Sequence, residues 1–99
     1  MVKIIWTMRA ADDLEEIAQY IALDKADAAA KFVDNVLGSV KKLADFPLLG
    51  RMVPELRMQR YRELIVAPCR ILYTPEKEAV IVQRVIRGEQ RIHGGLVAP

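Results

Sequence analysis

Apolar and polar positions change their period twice along this chain. Residues 3–6, KIIW, are short and β-rich and predict a first strand. Leu14, Ile17, Ala18 and Ile21 then fall at i, i+3, i+4 and i+7, one stripe of a helix. Thr7 is placed to cap it, and Asp12, Asp13, Glu15 and Glu16 suit the positive end of its dipole. The stretch LDKADA breaks the stripe and offers Asp24 or Asp27 as a new cap. A second stripe follows at Ala29, Phe32, Val33, Val36, Val40 and Leu43, and ends at Asp45-Phe46-Pro47 because proline cannot continue a helix. Two helices joined by so few residues predict an antiparallel hairpin.

Residues 47–60, PLLGRMVPELRMQR, carry Pro47, Gly50 and Pro54 and read as a loop. The pattern then predicts three strands, Tyr61 to Val66, Cys69 to Thr74 and Ala79 to Arg87. Ala67-Pro68 and Pro75-Glu76-Lys77-Glu78 join them, and the four-residue connection sets Thr74 opposite Ala79, Leu72 opposite Ile81 and Arg70 opposite Gln83. In that register Arg70, Leu72, Ile81, Gln83, Val85 and Arg87 share one face. Cys69, Ile71, Tyr73, Val80, Val82 and Ile86 share the other, with Arg84, and this more apolar face is expected against the helices. A one-residue bulge would swap the faces of the last strand. The predicted class is α+β: an N-terminal strand and an antiparallel helical hairpin packed on a small antiparallel β-sheet. One domain is expected over residues 1–93, with a flexible C-terminal tail over 94–99.

Composition narrows the chemistry. Ninety-nine residues, 53% of them hydrophobic, allow one real core and no separate catalytic module. The net charge of +2 is uneven: residues 1–46 hold six basic and eight acidic side chains, and residues 47–99 hold nine and five. Eight of those nine are arginine, which suits bidentate contact with carboxylates or phosphates and points to an acidic partner. A single cysteine, Cys69, excludes an internal disulfide and suits a reducing cytoplasm. With one histidine and one cysteine, a structural zinc site is not expected, nor is any other metal or cofactor. The run VKIIW is too short for a signal peptide or a membrane span, so a soluble cytoplasmic protein without a membrane partner is expected.

Four stretches carry a family resemblance: Trp6 with Ala10 to Ile17 (A-x-x-D-L-x-x-I), FPLLGRMVPEL, RELIVAPCRILY, and VIRG near the end. Together, and in this order of elements, they resemble the RelE/ParE superfamily of toxins from type II toxin–antitoxin pairs. RelE-type members cut ribosome-bound messenger RNA with basic side chains and an acid. Where that branch carries two strand lysines, this chain has Tyr61 and Glu63; the strand arginine is kept as Arg70, and a second arginine is replaced by Gln90, with Arg91 one step away. If the chain were a nuclease, the resemblance would assign the work to Glu55, Arg70 and Arg91. Most of that set is missing, and Arg62-Glu63-Leu64 is instead typical of ParE-like members. The ParE resemblance implies growth inhibition through DNA gyrase, a part in plasmid stabilisation, and neutralisation by a cognate acidic ParD-like antitoxin in a hetero-oligomer. It leaves direct nucleic-acid binding open, and Arg87-Gly88-Glu89-Gln90 departs from the His-Gly-x-Arg often found there.

Arg51, Arg62, Arg70, Arg87 and Arg91 are therefore the candidates for contact with target or antitoxin, weighed against a merely solubilising role. Cys69 and Tyr73 read as core residues, Trp6 as cover for the sheet margin, and His93 as solvated. Glu55 follows Pro54 in a loop and reads as an ion-pair partner for a nearby arginine, with general base as the alternative. A non-toxic chain that only binds antitoxin is the third reading.

Overall fold

The computed structural model describes residues 1–56, 60–93 and 96. Strand β1 (Lys3–Trp6) leads into helices α1 (Met8–Ala22) and α2 (Ala26–Lys41) and a 3-10 turn at Lys42–Ala44. Four strands follow: β2 (Arg51–Met52), β3 (Arg62–Val66), β4 (Cys69–Pro75) and β5 (Ala79–Arg87). They form one sheet in the order β1-β5-β4-β3-β2. The α+β class is the one the pattern predicts, but the sheet is mixed. β1 runs parallel to β5, with Lys3 opposite Ala79 and Trp6 opposite Val82, while the remaining pairs are antiparallel. Parallel neighbours need a long crossover, and everything from α1 to β4 supplies it. The tail expected over 94–99 lies outside the described residues except for Leu96. No helix among the described residues is long and apolar enough to cross a membrane.

The Thr7 hydroxyl accepts from the Ala10 amide at 3.0 Å, so α1 starts where the sequence places its cap. Its acids are used differently from the expectation, because none lies in the first turn. Neither Asp24 nor Asp27 caps α2: the cap position is Lys25, without a side-chain bond, and Asp27 sits inside the first turn. The Asp24 and Lys25 amides bond back to the Ile21 carbonyl, which keeps the connection too tight for a side-chain cap.

Phe32, Val36 and Val40 of α2 bury against Cys69, Ile71, Val82 and Val85 of the sheet, with Ala10 of α1 closing the cluster. Each large apolar side chain so buried contributes about 1.5–3 kcal/mol. The sheet register departs from the expected one in two steps. Thr74 pairs with Ile81 and Pro75 with Val80, a two-residue shift that preserves the faces. Tyr73 then pairs with Val82 but Leu72 with Arg84, so Gln83 is the extra residue of a bulge. From there the faces invert: Val85 turns to the helices, and Ile86 and Arg84 turn away. The far side of the sheet has its own cluster, in which Val53, Leu56 and Ile92, with Leu96 beside them, cover Tyr61, Leu72 and Ile86.

Candidate functional site

The two-residue β2 falls inside the predicted loop, since two residues carry no period. It matters because it sets Arg51 opposite Glu63. Glu63 is only 1% exposed, and its carboxylate accepts from Arg51 Nε at 2.6 Å and from Arg70 Nε at 2.6 Å. The outer edge of Arg70 donates to both oxygens of Glu55, at 2.7 and 2.9 Å. Arg51, Glu63, Arg70 and Glu55 thus form a ladder of alternating charge across β2, β3, β4 and the 53–56 loop. A buried carboxylate is tolerable only with such partners. The hydrogen bond from Arg70 holds the Glu55 carboxyl down at about 2, so it is ionised and a weak proton acceptor at neutral pH. Glu63 stands where the nuclease branch has a strand lysine, and the signal for its buried role is the acid of R-E-L set among Arg51 and Arg70.

Arg62 lies on the opposite face, where it braces a loop: its Nη1 donates to the Gly50 carbonyl at 2.7 Å and, more weakly, to that of Leu48 at 3.4 Å. Tyr73 joins it from beneath, donating to the Pro47 carbonyl and accepting from the Gly50 amide, each at 2.8 Å. Burial raises the pKa of that phenol and keeps it a donor.

A second buried pair joins residues far apart in sequence, with no local signal to mark it. Arg84 donates to Asp13 at 2.7 and 3.2 Å and to the Leu96 carbonyl at 2.6 Å, while Asp13 also accepts from the Val85 amide at 3.0 Å. β1 pairs with β5 only as far as Val82, and Asp13 takes over the strand edge beyond it. Arg84, expected among the helix-facing residues, reaches round that edge because the bulge reverses it. Arg87 pairs with Glu89 at 3.2 Å and lies 5.7 Å from the Tyr20 ring centre. Arg91 and His93 are exposed. Burial pushes the Cys69 thiol up to about 11, so it is an unreactive core group. The five candidate arginines do not make one surface: Arg51 and Arg70 belong to the ladder, Arg62 to the loop brace, and Arg87 stands by α1. Of the three nuclease candidates, Glu55 and Arg70 meet, and Arg91 has no hydrogen bond or ion pair among the described residues.

On the outer side of the hairpin, Trp6, Leu14, Ala18, Ala22, Val33 and Leu37 line an open groove of about 600 Å³ that is almost wholly apolar. Small residues on both helices keep it shallow and accessible. Such a groove accepts the apolar face of an amphipathic helix.

Comparison with known proteins agrees with this geometry. Residues 4–92 match the family described as ParE toxin of type II toxin-antitoxin system, parDE. A protein of Sinorhizobium fredii named "Putative toxin Y4kP" is 42% identical over 65 residues, 66% of this chain. The match spans 65% of that relative's length. A chain in the solved structure of the chromosomal ParDE TA system from P. aeruginosa superposes with a TM-score of 0.74 and 26% identity, covering 90% of this chain and 98% of that one.

Proposed function

The chain belongs to the ParE toxin family of type II toxin–antitoxin systems, and from that premise we propose that it is the growth-inhibiting partner of such a pair. It acts in the cytoplasm by holding a target protein, and the target is DNA gyrase. One observation carries the choice of docking over RNA cleavage: Arg70 is already engaged by Glu63 and Glu55. A guanidinium whose charge is already paired with two carboxylates, and whose Nε, Nη1 and Nη2 all donate to them, is poorly placed to stabilise a phosphate in a transition state. Glu55, ionised down to about 2, is equally unsuited to proton transfer at neutral pH.

The antitoxin is an acidic, ParD-like protein. An amphipathic helix of it lies in the α1–α2 groove, and its carboxylates reach exposed cations such as Arg87 and Arg91. Co-expression with the small neighbouring reading frame tests this, because the two chains should co-purify.

A supercoiling assay with purified gyrase tests the target. The protein should inhibit supercoiling or trap a cleavage complex. No effect at protein well above the gyrase concentration rules gyrase out. Programmed ribosomes are the counter-test: codon-specific cuts that vanish in Arg70→Ala would replace docking with RNA cleavage.

A further inference from the structure

The segment from the loop after α2 into β2 carries four large apolar side chains that face solvent. Phe46 is 64% exposed, Leu48 64%, Leu49 53% and Met52 46%. Exposed apolar residues standing singly are ordinary, but four within seven positions are a patch. The backbone beneath them is fixed. The Tyr73 hydroxyl, itself fully buried, holds Pro47 and Gly50, and Arg62 holds Gly50 from the other side. The Phe46 amide bonds to Lys42 and the Leu49 amide to Phe46, each at 3.0 Å. Gly50 seals the arrangement, since a Cβ there would come within 2.5 Å of the Glu63 carbonyl and 2.7 Å of the Tyr73 ring. A buried tyrosine and an arginine therefore anchor a segment whose apolar side chains stay about half exposed or more. Preorganisation of that kind serves association, because the ordering entropy is already lost before a partner arrives.

We propose that residues 46–52 are the contact this chain makes with its target, a protein presenting an apolar cleft with an acidic rim. The rim follows from charge: Lys41 and Lys42 are exposed beside the patch, against one exposed acid, Asp45, while Arg51 is paired with the buried Glu63. A two-fold contact between copies of this chain would set those cations against each other, which disfavours self-association. The patch is separate from the α1–α2 groove, so the groove and the loop serve different partners. The inference rests on the reading of the chain as a toxin that works by docking, but not on which protein it docks.

The test is growth inhibition by the full chain against two variants, Phe46→Ser/Leu48→Ser/Leu49→Ser and Lys41→Glu/Lys42→Glu. Both change exposed positions, so both should melt with the wild type and co-purify with antitoxin as well as it does. Loss of an interface anchor typically weakens association about thirty-fold, and each variant should need that much more protein to stop growth. Variants as toxic as the wild type overturn the inference. So does a triple variant that melts far lower, which would make the side chains structural. A wild type without effect on growth also overturns it. Vesicles of phosphatidylglycerol are the remaining arm: if they bind the wild type and not the triple variant, the patch is a lipid contact and the proposal fails. Growth inhibition that depends on the patch while supercoiling is untouched removes gyrase and leaves the loop assignment standing.

Discussion

The two faces of the sheet are buried by different means. On one, the helical hairpin lays Phe32, Val36 and Val40 over Ile71, Val82 and Val85, and no charge enters the cluster. On the other, the cover among the described residues is Val53, Leu56, Ile92 and Leu96. Beside that cover lie charges set against each other, Arg51–Glu63–Arg70–Glu55 and Arg84–Asp13. The difference teaches that arginine-rich sequence in this chain is first a packing device. Arg62 and Arg70 were candidates for a free docking surface, yet both are occupied by the fold itself. Among the described residues, two apolar surfaces stay open, the α1–α2 groove and the 46–52 segment.

The comparison can be broken by substitution. Phe32→Ala should have the largest effect, about 4 kcal/mol of lost stability, because it removes a ring from a site that cannot collapse. Chemical denaturation measures it, and the loss should be the same in low and high salt. Glu63→Ala comes next, at about 3 kcal/mol, since it leaves the half-buried Arg70 with only its outer partner. If Glu63→Ala proved harmless while Phe32→Ala did not, the ladder would be decoration on a face held by apolar cover alone.

The smallest effect sharpens the picture by pH. Glu55 has its folded pKa lowered from 4.5 to about 2 by the bond from Arg70. A depressed carboxyl contributes stability that is present above its ordinary value and disappears as pH falls through the folded one. Wild type should therefore lose its advantage over Glu55→Gln between pH 4.5 and about 2. The pair is partly exposed, so the advantage at neutral pH should be below about 1 kcal/mol. Melting curves of both proteins across that range read it directly, and parallel curves would remove Glu55 from the ladder.

The sequence by itself determined the elements whose signal is local. The stripe from Leu14 to Ile21, the stripe from Ala29 to Leu43, the Thr7 cap and the bounds of β1 and β5 all follow from period and capping chemistry, which depend on near neighbours alone. The family motifs were equally legible, because they are strings of residues. Tertiary structure alone decided the rest. The bulge at Gln83 lies where β5 passes beyond the end of its pairing with β1, and no local pattern marks it; it turns Val85 inward and sends Arg84 to Asp13. β2 is two residues long and exists only because β3 offers it an edge. Glu63 is acidic in any reading, but its burial between Arg51 and Arg70 requires three strands to be side by side. Whether a charge is free or committed is a property of its neighbours in space, and those are brought together only by the fold.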